Sequence, residues 1–183
     1  MTELMGYQAR EDWMGREVLT LADVWPDEPR AMIVGLNPAP SSVDAGHYYQ
    51  GQVGQGQLRK LAAAGLFQAP SGRYFEGAAL AAGVGFTDIV KRPSRGEGDV
   101  GADEIRFGSG QLADNLQSRG VQLIVCVFRH PVKVLLGTEG VPGMQAKRTS
   151  WGARVFRMPG PFDKRENVER VMSELSAHLD SGE

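Results

Sequence analysis

Apolar residues in this chain fall into two kinds of run. Four are short and nearly continuous: "AMIV" at 31–34, "GFTDIV" at 85–90, "VQLIVCVF" at 121–128 and the alternating "ARVFRM" at 153–158. Runs of this length suit strands buried on both faces, as in a parallel sheet. Between them apolar residues recur at helical spacing. "GQLRKLAAAGL" predicts a helix over 57–64 closed by Gly65, and "EGAALAAGV" predicts a second short one. "ADEIRFGSGQLADNLQSRG" predicts one long or broken helix, "HPVKVLLG" another, and "RENVERVMSELSAHLD" an amphipathic closing helix. Directly behind the first strand, "GLNPAPSS" shows no helical pattern and reads as a turn. The alternation predicts an α/β fold, a three-layer sandwich whose central, mostly parallel sheet is flanked by helices. Residues 1–183 are expected to form one domain, with 1–19 as an N-terminal extension. In such folds ligands bind at the carboxyl ends of the strands, so the loops after Val34, Thr87, Phe128 and Arg157 are expected to converge on a site.

Composition narrows the function classes. A chain of 183 residues, 42% hydrophobic, can bury a sizeable core, and a net charge of -2 gives it no global positive field. Any contact with nucleic acid must then use a local patch. One is available at 145–170, where Lys147, Arg148, Arg154, Arg157, Lys164, Arg165 and Arg170 face only three acids. Cys126, the one cysteine, sits inside an apolar strand run, which excludes a disulfide framework and a cysteine-cluster metal site. His47, His130 and His178 are too scattered for a metal motif and read as surface or capping residues. No metal and no cofactor is expected. "GQVGQG" lacks the Gly-Lys-Ser/Thr ending of a phosphate-cradling loop, and no Gly-x-Ser-x-Gly elbow is present. "MTELMGYQAREDW" is neither a signal peptide nor a membrane span, so a cytoplasmic location is expected.

Two loops carry candidate chemistry: "GLNPAPSSVDAGHYYQG" after the first strand and "MPGPFDKRENV" after the last. Pro beside Gly fixes a backbone that a flat ligand can approach, although the same residues also make plain tight turns. "GLNPAPSS" resembles the first motif of the uracil-DNA glycosylase superfamily, most closely in its mismatch-specific branch, the MUG and thymine-DNA glycosylase family. There the motif is Gly-Ile-Asn-Pro-Gly followed by a Leu-Ser-Ser-like segment. "TLADVW" upstream resembles that family's lead-in. "GFTDIVKRPS" downstream resembles its Gly-Val-Thr-x-Leu-Val-x-Arg-Pro-Thr block, and the likeness spans residues 20–179.

The resemblance implies a monofunctional base-excision-repair glycosylase, monomeric on double-stranded DNA. Its reaction would hydrolyse the N-glycosidic bond of a flipped uracil mismatched with guanine, or of a related damaged base. It implies Asn37 as the residue that positions the hydrolytic water, and Tyr49 as the aromatic that stacks on the base. Ser41 and Ser42 match the serine pair beside the pocket, and backbone groups at Leu36 and Tyr49 would read the base edge. Asp88 is a departure, falling where a bacterial relative carries a lysine. It could act as a general base or base reader, pair with Lys91 or Arg92, or be a solvated charge at a strand end. The second motif departs further: Met158 stands where the branch has a polar residue, and cannot donate a hydrogen bond to a departing base. The resemblance implies that Pro161 and Phe162 fall in the wedge region that fills the gap left by a flipped nucleotide, with Lys164 and Arg165 placed for phosphates; the other reading of Phe162 is packing against the last helix. That worn second motif keeps an alternative open, a catalytically weakened DNA-binding or damage-sensing relative.

Overall fold

The computed structural model describes residues 2–182. Among the described residues, seven strands and six α-helices follow one another along the chain. The central sheet is built from β3 (Ala31–Gly35), β4 (Val84–Asp88), β5 (Leu123–Cys126), β6 (Gly143–Met144) and β7 (Arg154–Arg157), in the order β4-β3-β5-β7-β6. β3 pairs in parallel with β4 and β5, β5 pairs in parallel with β7, and the two-residue β6 runs antiparallel along the outer edge. Every residue of β3, β4 and β5 is buried, as continuous apolar runs require when helices cover both faces.

Alternate residues of the strands feed two cores. Ile33, Phe86, Val125 and Phe156 face one layer, where they cluster with Leu58, Leu61, Phe75, Val171 and Leu175. Those partners come from or adjoin α2 (Gln52–Ala63), α3 (Glu76–Ala81) and α6 (Arg165–Ser181). Met32, Val34, Ile124, Cys126 and Val155 face the other layer, with Leu112 and Leu116 of α4 (Ala102–Ser118) and Val132 and Leu136 of α5 (Arg129–Leu136). Each fully buried leucine stabilises the fold by about 1.5 to 3 kcal/mol relative to exposure. The expected three-layer α/β sandwich is the fold observed. No helix among the described residues is long and apolar enough to cross a membrane.

Three departures from the expected elements have local causes. Residues 8–21, largely inside the segment read as an extension, form a hairpin of β1 (Gln8–Trp13) and β2 (Arg16–Leu21). Met14 and Gly15 both have positive φ, the geometry that closes a two-residue hairpin without splaying its strands. Trp13 at its tip is buried and donates from Nε1 to Glu104 Oε1 at 3.1 Å, which ties the hairpin to α4. Behind β3, where a turn was expected, Pro40–Ala45 forms a short helix, α1. It starts on Pro40, whose missing N–H is no loss in a first turn, and ends on Gly46 with φ 76°. α2 starts at Gln52, five residues earlier than its pattern indicated, because the apolar stripe does not begin until Leu58.

Candidate active site

The carboxyl ends of β3, β4 and β5 open onto a cavity of about 340 Å³, a size that suits a small flat ligand. Its walls come from the β3 exit through Ala39, the Tyr48–Gly54 corner, Asp88, the 94–97 loop, and the start of α5.

Asn37 is held through its amide nitrogen. Nδ2 donates to Arg92 O at 2.9 Å and to Ser94 Oγ at 2.7 Å, both acceptors, which fixes which end of the amide is nitrogen. No hydrogen bond among the described residues engages the side-chain oxygen, and Asn37 lines the cavity. The clamp is itself anchored. Arg92 makes a forked pair with Glu104 through Nε at 2.7 Å and a second nitrogen at 2.8 Å, and its hydrogen bonds hold the Glu104 carboxyl down at about 2. α4 therefore fixes Asn37 by way of Arg92.

Asp88 closes β4 directly opposite Gly35 and is 5% exposed. Burial pushes its carboxyl up to about 7, only partly opposed by Lys91, with Asp23 pushing the same way. Neither cation considered for it reaches the carboxylate. Lys91 Nζ lies 2.6 Å from Asp23 Oδ1 and donates to the Asp88 backbone carbonyl at 2.9 Å, while Arg92 is taken by Glu104. The carboxylate occupies space that exists because residue 35 is glycine: a Cβ there would collide with Asp88 Oδ1 and sit 2.8 Å from Tyr49 Oη.

Tyr49 stands at φ 56°, a left-handed conformation that costs a bulky residue on the order of 1 kcal/mol and needs outside support. Support comes from both sides. The buried Glu76 accepts Tyr48 N–H at 2.8 Å and lies 3.1 Å from His47 Nδ1, and Gln55 Nε2 donates to Tyr49 O at 2.8 Å. Gly54 leaves room for the Tyr49 ring. The ring is half-buried and lines the cavity, whereas its hydroxyl is buried with no hydrogen-bond partner among the described residues. Desolvation, with the Asp88 charge next, holds that hydroxyl well above its ordinary value.

The remaining sequence candidates divide. Leu36 lines the cavity, but its carbonyl accepts Val90 N–H at 2.8 Å, so part of its backbone is already used by the segment behind β4. α1 separates the two serines. Ser42 is buried on the lining with its Oγ accepting Gln50 N–H at 3.0 Å, while Ser41 is exposed and takes no part in the lining. Pro161, Phe162, Lys164 and Arg165 lie on the β7–α6 connection and the start of α6, away from the cavity wall. Phe162 is 89% exposed.

The loop after Arg157 was expected to join the site, and it does not line the cavity. Met158 turns into the apolar core at 2% exposure, its N–H bonded to Cys126 O, and Pro159 O is pinned by the buried Gln57. The β5 exit, also expected there, contributes Phe128 and His130. His130, read as a surface or capping residue, belongs to the wall. Ser94 and Glu97 were also missed. Only the loop positions after "VQLIVCVF" and "GFTDIV" could have flagged these residues, since nothing in their own spacing does. Among the described residues no group of His, Cys, Asp and Glu is gathered as a metal ion would need.

The cavity therefore combines a clamped amide, a buried carboxyl that titrates near neutrality, and an aromatic wall, all at the strand ends of a mostly parallel sheet. Residues 22–170 match the family model of the Uracil DNA glycosylase superfamily, and the chain belongs to that superfamily.

Proposed function

We propose that this protein is a monofunctional, mismatch-specific DNA glycosylase of the MUG and thymine-DNA glycosylase branch. It excises a flipped uracil opposite guanine, or a related damaged base, as a monomer and without a cofactor. Superfamily membership supports the coarser statement, a DNA glycosylase hydrolase acting on uracil. The observation that supports the finer one is Asn37, held by its nitrogen with its oxygen free of hydrogen bonds among the described residues, on the wall of the cavity that Asp88 also lines.

Uracil enters against the half-buried ring of Tyr49, a stacking contact worth about 1 to 3 kcal/mol. The bond between base and C1′ breaks, the base leaves with the electron pair, and the sugar becomes oxocarbenium-like. Asn37 Oδ1 accepts a hydrogen bond from a water and aims its oxygen at C1′. An amide is too weak a base to take the proton released as that water adds. Asp88 takes it, and a carboxyl near 7 is matched to that task at neutral pH. Among the described residues no lysine lines the cavity, which supports water rather than an amine as the nucleophile. Outside the cavity, Phe162 with Pro161 enters the stack behind the flipped nucleotide, and Lys164 and Arg165 meet phosphates.

The withdrawal of Met158 from the cavity favours a second reading, a DNA-binding relative with little catalysis. Incubation with duplexes carrying uracil opposite guanine, uracil opposite adenine, and single-stranded uracil, followed by alkali, separates the two. Strand cleavage strongest for uracil opposite guanine is expected. No cleavage on any of these, nor on hypoxanthine or ethenocytosine, would establish the binding module instead.

A further inference from the structure

We propose that Lys91 and Asp23 are positioning residues for the reaction: Asp23 holds the Lys91 ammonium behind the end of β4, where its charge favours the carboxylate form of Asp88 without pairing with it. The inference rests on the glycosylase reading above, with Asp88 as the proton acceptor. It begins from a count of donors. A lysine ammonium has three, and Lys91 directs them to Asp23 Oδ1 at 2.6 Å, Thr87 Oγ1 at 3.3 Å and the Asp88 backbone carbonyl at 2.9 Å. No donor is left for the Asp88 carboxyl. Thr87 Oγ1 in turn donates to Asp23 Oδ1 at 2.7 Å, which closes the cluster.

The fold builds this cluster behind the cavity wall. β4 is an edge strand of the central sheet, and Val24 covers that edge through a pair of backbone hydrogen bonds with Phe86, both at 2.9 Å. That bridge brings Asp23 to Thr87 and Lys91. Neither member of the pair lines the cavity, so each acts through Asp88. Their side chains are 15% and 20% exposed, and charges so placed are screened less than surface ones. A direct contact with Lys91 would hold the Asp88 carboxyl charged and too weak a base to take a proton near neutral pH, whereas burial alone would hold its proton too tightly. The pair lies between these limits: Lys91 opposes part of the effect of burial, and Asp23 pushes the other way. The same pair acts on Glu11 of β1, the third acid on this side. Tyr48 and Tyr49 also face Asp88, and burial holds both hydroxyls protonated well above their ordinary value. Arg95, Glu97 and His130 stand on the cavity wall, on the side away from the pair.

An electrostatic role and a packing role differ in one observable, the direction in which the pH profile moves. Single-turnover excision of uracil opposite guanine is followed against pH for the wild-type protein, Lys91→Met, Lys91→Arg and Asp23→Asn, with thermal unfolding of each. Lys91→Met should move the midpoint of the rising limb up by about half a pH unit. Asp23→Asn leaves the Lys91 charge unopposed and should move the midpoint down by about the same amount. At about pH 6, relative to each protein's own plateau, Lys91→Met should run roughly threefold slower than wild type and Asp23→Asn roughly threefold faster. Lys91→Arg keeps the charge and should hold the midpoint within about 0.2 of wild type. If Lys91→Met does not fold, Lys91→Gln takes its place. A packing role lowers the unfolding temperature of both variants without moving their midpoints in opposite directions. A limb unmoved in both, or moved the same way in both, overturns the role of the pair while leaving the glycosylase reading standing. If the wild-type protein excises no uracil, the glycosylase reading falls and the role of the pair falls with it.

Discussion

Gly35 at the end of β3 is the register partner of Asp88 at the end of β4, and the Asp88 carboxylate lies where a side chain on residue 35 would go. A methyl group there must displace that carboxylate and press on Tyr49 Oη. Gly35→Ala should destabilise the protein by about 1 to 3 kcal/mol, as overpacking does. It should lower excision by more than that loss explains, because two cavity groups move together. Urea unfolding alongside single-turnover excision at saturating protein checks both parts.

Adjacent tyrosines should respond oppositely to loss of their hydroxyls. Tyr48 Oη donates to Ala22 O at 3.0 Å, whereas Tyr49 Oη is buried without a partner among the described residues. Tyr48→Phe should cost about 1 to 2 kcal/mol, and Tyr49→Phe should be neutral or stabilising by up to about 1 kcal/mol. Equal losses in urea denaturation would show that Tyr49 Oη is bonded after all. Tyr49→Phe keeps the stacking ring and should excise within about threefold of wild type.

Phe162 carries almost no packing, so Phe162→Ala should leave stability within about 0.5 kcal/mol. Affinity for a duplex holding a flipped uracil analogue should nevertheless fall. Lys164→Ala with Arg165→Ala should weaken binding to all duplexes and reduce the slope of log K against log salt by about 0.9 for each phosphate that is no longer neutralised. Titrations across salt concentrations measure that slope, and an unchanged one removes these residues from the DNA surface.

The sandwich was legible because its central strands are covered on both sides and so read as unbroken apolar runs. β3, β4, β5 and β7 lie where those runs lie. The hairpin was not, since Gln8–Trp13 is mostly polar and only partly buried, and only Trp13 and the end of β2 reach the core. α1 is too short to show a period. Asn37, Tyr49 and Ser42 could be singled out through the resemblance of the stretch behind β3 to a family motif, and Asp88 as a departure from that resemblance; all four line the cavity. The loop after Phe128 was expected to converge there, but neither Phe128 nor His130 stood out as a site residue, because nothing in their own spacing points to a ligand. The inward turn of Met158 is a tertiary fact: an Arg-Met-Pro sequence does not state which side of a sheet its methionine takes.

The raised carboxyl of Asp88 also sets how stability depends on pH. Folded, it holds its proton to about 7, whereas unfolded it loses it near the ordinary carboxylate value of 3.8. Between those values the folded state binds more protons than the unfolded one. The contribution of Asp88 is therefore fully present below the unfolded value, declines as pH rises toward 7, and is flat beyond. Asp88→Asn should remove this decline. Relative to that variant, wild type should lose on the order of a few kcal/mol between about pH 4.5 and 7. That window lies above the range in which Glu104, held at about 2, gives up its own contribution. Parallel stability curves for the two proteins would contradict a buried, proton-holding Asp88.

The central claim is that Asn37 places the water and Asp88 takes its proton. It is tested most directly by the pH dependence of single-turnover uracil excision from a duplex with uracil opposite guanine, in wild type and Asp88→Asn. The wild-type rate should rise with pH and level off above about 7. Asp88→Asn should be slower by roughly 100-fold at the plateau and lose the rising limb, with DNA binding unchanged. A wild-type rate that falls as pH passes 7 would make the protonated acid the working form, and an Asp88→Asn profile matching wild type would remove Asp88 from the chemistry.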